Sequence, residues 1–136
     1  MGVILDTSVL IAFERDAVDL DTFIHGRSRE AFGVSVITAS ELLHGVYRAD
    51  TAKRRIKRAA YVERVLDQIT VYPFDLAAAR IYGELWARLQ KQGVQVGAHD
   101  TMIASTALSL GYSVATLDLR DYRRIEGLAI EHLAKS

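Results

Sequence analysis

The chain has 136 residues, half of them hydrophobic and a quarter charged, so one globular domain spanning residues 1–136 with an ordinary core is expected. It has no cysteine, which excludes a disulfide framework, a thiolate metal site and a thiol nucleophile. Basic and acidic residues balance at 17 each, so no overall positive charge draws the chain to nucleic acid.

Asp6 interrupts the apolar N-terminal stretch and no basic residue precedes it, which makes a poor signal peptide. No segment approaches the roughly 20 apolar residues of a membrane helix. The expected location is the cytoplasm.

Residues 2–5 (Gly-Val-Ile-Leu) read as a buried strand. Residues 7–15 read as a short helix capped by Asp6, Thr7 or Ser8, and residues 18–26 are ambiguous. Residues 32–37 read as a second strand. Thr38 is then expected to cap a helix running to about residue 49, with Glu41 three residues on as its capping-box partner. Residues 52–69 form a longer helix. Residues 70–74 form a short strand whose Pro73, the only proline, suits a sheet edge. Asp75 opens a helix to about residue 92, and residues 93–97 are a loop. Residues 100–110 form a helix stopped by Gly111. Residues 113–117 are a strand, 119–125 a helical turn and 128–133 a last strand. Strands alternating with helices predict an α/β sandwich around a parallel sheet.

The acids fall at informative places on this pattern. Asp6 and Asp118 follow strands directly, Glu41 lies in the first helical turn after the second strand, and Asp100 begins the late helix. Ligands of open parallel sheets bind beyond the carboxyl ends of the strands. Asp6, Glu41 and Asp118 belong to that edge by position, while Asp100 joins them only if residues 93–99 fold back. Each acid also has a bland use as a helix cap or capping-box partner. Four carboxylates brought together raise one another's pKa unless a cation neutralises them. Oxygen-only ligands select a hard ion, Mg²⁺ or Mn²⁺. Setting four acids aside in one neutralised site leaves 13 acidic against 17 basic residues, which weakens the objection from net charge.

At these residues the sequence resembles the PIN-domain family, and within it the VapC-type toxin ribonucleases of type II toxin–antitoxin pairs. The matching segments are Ile4-Leu-Asp-Thr-Ser8, Thr38-Ala-Ser-Glu-Leu-Leu43, His99-Asp-Thr-Met-Ile-Ala104, and Ala115-Thr-Leu-Asp118 followed by Asp121-Tyr-Arg-Arg-Ile125. They span nearly the whole chain, and their order and spacing together are specific. The resemblance implies a three-layer sandwich with a five-stranded parallel sheet. It implies a Mg²⁺-dependent endoribonuclease that leaves 5′-phosphate and 3′-hydroxyl ends. It also implies a VapB-like antitoxin partner and a homodimer. Metal coordination is implied at Asp6 and Asp100, completed by Glu41 and Asp118. Many relatives carry Asn at the place of Asp118 and an acid three residues later, here Asp121. Asp118 is preferred because it leaves the strand end directly, with Asp121 as the second choice. Thr7 and Thr116 flank the site as possible hydrogen-bond donors to a carboxylate or phosphate, or as capping and turn residues only.

Lys53, Arg54, Arg55, Lys57, Arg58 and Arg64 lie in one helical segment. A solvated face is the plain reading, and a rim contacting RNA phosphates through Arg54 and Arg55 is the functional one. The resemblance adds a groove for the antitoxin's C-terminal segment, floored by Leu42, Leu43, Val46 and Tyr47 if these are not simply core. Arg120, Arg123 and Arg124 are nearer Asp118 and are further rim candidates. His44 shares a helix face with Glu41, and His99 is expected to point away from the site. Tyr82 and Trp86 read as core or dimer packing rather than base-stacking platforms.

Three rivals remain. An aspartyl-phosphate enzyme needs a second Asp two residues after the first, where Ser8 stands. A housekeeping RNA-processing nuclease of the same fold and a metal-free binding module are the others.

Overall fold

The computed structural model describes residues 2–15, 22 and 31–133. The ambiguous segment 18–26 lies outside these apart from Thr22. Five strands are described: β1 (Val3–Leu5), β2 (Phe32–Ser35), β3 (Thr70–Tyr72), β4 (Ser113–Thr116) and β5 (Ile130–His132). The α-helices are α1 (Thr7–Glu14), α2 (Val36–Arg48), α3 (Ala52–Gln68), α4 (Leu76–Gln92) and α5 (Ala98–Leu110), and a 3-10 turn covers Tyr122–Arg124. All neighbouring strands are parallel, in the order β3-β2-β1-β4-β5. The expected α/β sandwich is therefore present.

Alternation along the strands builds two cores. Val3 and Leu5 of β1 face a cluster with Val9, Leu10, Leu42, Val46, Val62 and Val65 from α1, α2 and α3. Ile4 faces the opposite cluster, with Leu85, Ile103 and Ala104 from α4 and α5, and Tyr122. The central strand is buried on both faces, as the unbroken apolar run of β1 requires.

The strand order places the site. From β1 the chain builds outward through β2 to β3, then returns to the other side of β1 for β4 and β5. The reversal lies between β1 and β4, where the Asp6 amide donates to the Ala115 carbonyl at 3.0 Å. Such a reversal opens a crevice at the strand ends, and Asp6 and Thr116 stand on either side of it.

Local boundaries follow side-chain chemistry. Asp75 caps α4, accepting from the Ala78 amide at 2.9 Å, a contact worth about 1 kcal/mol. Gly93 and Gly111 end α4 and α5 in the left-handed region, at φ 69° and 70°. Strand β3 is an edge strand, with Pro73 just beyond it. Two helix starts differ from expectation. Ser35, not Thr38, caps α2, accepting from the Ile37 amide at 3.0 Å, so the β-branched pair Val36-Ile37 belongs to the helix. Tertiary packing overrides β propensity there, and Thr38 is buried within the helix. Glu41 therefore lies beyond the first turn and is not a capping-box partner. Helix α5 begins at Ala98, with Gly97 at its cap and no side-chain cap bond. That start carries no capping signal in the sequence.

Candidate active site

Asp6 is held more tightly than any other carboxylate at the crevice. It is 5% exposed and caps α1 through the Val9 amide at 3.3 Å. The Ser8 hydroxyl donates to its Oδ1 at 2.5 Å, and the Thr116 hydroxyl, 110 residues away, donates to its Oδ2 at 2.7 Å. Burial pushes its carboxyl above the usual range, and these hydrogen bonds pull in the other direction. The cap role and a chemical role coexist in one side chain.

Glu41 is fixed from the neighbouring helix. The Thr7 hydroxyl lies 2.7 Å from Glu41 Oε1 and 3.2 Å from the buried Thr38 hydroxyl. On its other side, His99 Nδ1 lies 3.5 Å from Glu41 Oε2. His99 therefore faces the site, against expectation. Helix α5 starts two residues earlier than expected, so His99 and Asp100 both sit in its first turn and border the crevice. His44, Glu41 and His99 line one cavity of about 660 Å³ between α1, α2 and α3.

Asp100 reaches the site because residues 93–97 do fold back. The Arg124 guanidinium donates to the Gln95 carbonyl at 3.0 Å, tying that loop to the 3-10 turn. The Asp100 carboxyl is pushed up to about 6, first by burial, then by its hydrogen bond with Asp121 and the charges of Asp6 and Asp121. The Tyr122 hydroxyl, 3.3 Å from Asp100 Oδ1, favours the charged form. Tyr122 itself is pushed far above the ordinary phenol range by burial, by the charges of Asp6 and Asp100, and more weakly by Glu41. One buried phenol thus feels three of the four acids.

The fourth position divides between two residues. Asp118 is exposed, and its carboxylate accepts from the Arg120 amide at 3.0 Å in a local turn. Asp121 is half-buried and pairs with Asp100. Thr116 serves both ends of the turn, donating to Asp6 and accepting from the Asp118 amide at 2.9 Å. The candidate rim arginines have other engagements. Arg54 is bidentate to Asp50 at 2.8 and 2.9 Å, Arg55 donates to the Ala49 carbonyl, and Arg120 lies 3.9 Å from Asp121. Arg123 is exposed. Leu42 and Val46 are core, whereas Leu43 and Tyr47 are exposed. Trp86 is 55% exposed and lies 5.7 Å, centroid to centroid, from Tyr82, so it is not a core residue of this chain. Sequence reasoning passed over Ser8 as an Asp6 ligand and the Tyr122 hydroxyl. The i, i+2 spacing of Asp6 and Ser8 was a usable signal for the first, and nothing local marks the second.

Among the described residues no three His, Asp or Glu side chains stand close enough to encircle an ion as placed. The donor set nonetheless fits a hard divalent cation. Asp6, Asp100 and Asp121 offer only oxygen, and Asp6 and Asp121 raise the proton affinity of Asp100. A cation between them removes that penalty.

The PIN domain family matches residues 3–128. Ribonuclease VapC1 of Rickettsia felis is 39% identical over 130 residues, covering 96% of this chain and 95% of the relative. The tRNA(fMet)-specific endonuclease VapC of Salmonella typhimurium is 37% identical over 98 residues, 72% of each chain. The crystal structure of DNA-bound VapBC from Salmonella typhimurium superposes with a TM-score of 0.86 at 30% identity, covering 97% of this chain and 98% of that one. On the match over residues 3–128 and these identities, the chain belongs to the PIN-domain family.

Proposed function

We propose that this protein is an endoribonuclease acting as the toxin of a toxin–antitoxin pair, with Asp6, Glu41, Asp100 and Asp121 holding a divalent cation. PIN-domain ribonucleases of this type generally depend on a divalent metal. The all-oxygen donor set favours Mg²⁺, with Mn²⁺ able to replace it. The observation that carries the reading is the convergence of Asp6, Asp100 and Asp121 at the β1–β4 crevice, with Asp100 hydrogen-bonded to Asp121 and its carboxyl raised by both neighbours. That arrangement is unfavourable for the bare protein and favourable for one that binds a cation. Asp121 is preferred to Asp118 because it already lies against Asp100.

The reaction is hydrolysis of an RNA phosphodiester. Water oxygen bonds to phosphorus, the bond to the 3′ oxygen breaks, and a proton passes to that oxygen, leaving a 5′-phosphate. When bound, the cation orients the water and offsets charge on the phosphoryl oxygens. The protein's part is to hold the acids still. Ser8, Thr116 and the Val9 amide fix Asp6, and Thr7 fixes Glu41. RNA held in the crevice meets a rigid set of oxygens rather than mobile side chains.

Purified protein is expected to cleave RNA with Mg²⁺ or Mn²⁺ and to stop in excess chelator. Induced expression should arrest growth, relieved by co-expressing the antitoxin. Full cleavage in chelator removes the metal reading. Cleavage without growth arrest favours a housekeeping nuclease.

The cavity beside Glu41 suits the antitoxin. Its floor includes Leu42 and Val62, and on its border Arg15, Arg48 and Arg58 outnumber Glu14 and Glu41, with Arg58 3.7 Å from Glu14. An apolar floor with a cationic border accepts a peptide carrying hydrophobic anchors and acidic groups. Replacing Arg48 and Arg58 by Ala should weaken antitoxin capture by about tenfold or more while RNA cleavage persists. Weaker RNA binding with antitoxin capture intact makes these residues an RNA rim instead.

A further inference from the structure

Tyr122 carries a hydroxyl into a place that needs only a ring. The residue is 2% exposed and belongs to the apolar cluster of Ile4, Leu85, Ile103 and Ile125. A phenylalanine would fill the same space, and a buried hydroxyl costs free energy unless it is paired. Its partner among the described residues is Asp100 Oδ1, at 3.3 Å. The turn that presents it is also fixed by backbone bonds of its own. Amides of Arg123, Arg124 and Ile125 donate to carbonyls of Leu119, Asp121 and Tyr122 at 3.0–3.1 Å, and Arg124 ties the turn to Gln95. Asp100, by contrast, sits in the first turn of a helix whose cap, Gly97, supplies no side-chain bond. A rigid donor therefore meets a carboxylate that its own helix leaves less constrained.

We propose that Tyr122 is a positioning residue, whose hydroxyl holds one oxygen of Asp100 so that the carboxylate meets the cation in a single orientation. This rests on the reading of Asp100 as a metal ligand. Groups that hydrogen-bond metal ligands set their orientation, and losing one typically weakens metal affinity by about 10- to 100-fold. The neighbours of the hydroxyl give it no competing acceptor role, since Asp6, Asp100 and Glu41 all present negative charge to it. A donor is the only useful chemistry there.

The test is Mn²⁺ binding by calorimetry to the metal-free full chain, in wild type, Tyr122→Phe, Asp100→Asn and the double variant, with melting curves alongside. Tyr122→Phe is expected to melt close to wild type, to bind Mn²⁺ about tenfold more weakly, and to recover cleavage as Mn²⁺ is raised. Asp100→Asn should lose most of the affinity, and adding Tyr122→Phe to it should change nothing more. Wild-type affinity in Tyr122→Phe, with Asp100→Asn impaired, overturns the positioning role alone. Equal binding by wild type and Asp100→Asn, or none by wild type, overturns the metal reading and this inference with it. A Tyr122→Phe loss that persists undiminished in the Asp100→Asn background shows that the hydroxyl acts elsewhere. A Tyr122→Phe chain that fails to fold makes the role structural and also overturns the proposal.

Discussion

Asp6→Asn is expected to slow RNA cleavage by about 10³-fold and leave the protein folded. A catalytic cation supplies several kcal/mol of charge stabilisation, and each ~1.4 kcal/mol is a factor of ten in rate. On the proposed reading Asp6 is its most rigid ligand, and removing it forfeits most of that. The fold should survive because the amide replaces the carboxylate atom for atom. One oxygen still accepts from the Val9 amide as the α1 cap, and the amide nitrogen can donate to the Thr116 hydroxyl where the carboxylate accepted from it. Asp6→Ala is a poorer test, since losing a helix cap costs about 1 kcal/mol and blends a stability defect with the chemical one. Steady-state cleavage of a labelled RNA at saturating Mg²⁺, with circular dichroism as the folding control, reads the outcome. Near-wild-type cleavage by Asp6→Asn removes Asp6 from the site.

Asp100→Asn should do something less common for an active-site change and stabilise the metal-free protein. The Asp100 carboxyl binds its proton more tightly when folded, about 6 against 3.8. Below pH 3.8 both states are protonated and nothing is lost. Between there and about 6 the folded protein keeps a proton that the unfolded chain has released, so stability falls as pH rises. Above about 6 both are ionised and the loss is complete, at most ~3 kcal/mol and less than that once solvent screening of this half-buried group is discounted. Asparagine never ionises and escapes it. In chelator, the melting temperature of Asp100→Asn minus that of wild type should climb from pH 4 to pH 6.5 and then level, by roughly 10 °C at most. Adding Mg²⁺ at pH 7 should reverse the order, because only wild type gains from binding. A difference that stays flat with pH shows that Asp100 is not under the strain of its neighbours.

Much of this was legible in the residues. The unbroken apolar run of β1, the alternation of strands and helices, and Pro73 at an edge point to the layers and the parallel sheet. Asp6 was legible because it leaves a buried strand directly, and strand ends are where such sheets bind ligands. Other details depend on forces that act across the chain. Val36 and Ile37 look like strand and become helix, because Ser35 can cap there and the buried face of α2 packs on the sheet. His99 turned inward because α5 starts at an uncapped glycine that no local pattern marks. The choice between Asp118 and Asp121 was closed to sequence reasoning, since it depends on which way one turn rotates. The Asp118 amide binds Thr116 and its carboxylate binds the Arg120 amide, and that rotation carries Asp121 toward Asp100.

The bond between Thr116 and Asp6 has a consequence during synthesis. Strand β1 is translated first, yet one of its two partners is β4, which follows more than a hundred residues later. Pairing of such distant segments forms late and slowly. Until β4 docks, Asp6 lacks its Thr116 donor, and the turn bearing Asp121 and Tyr122 has no place to sit. A chain still attached to its ribosome therefore has no assembled centre until β4 and the turn after it have emerged.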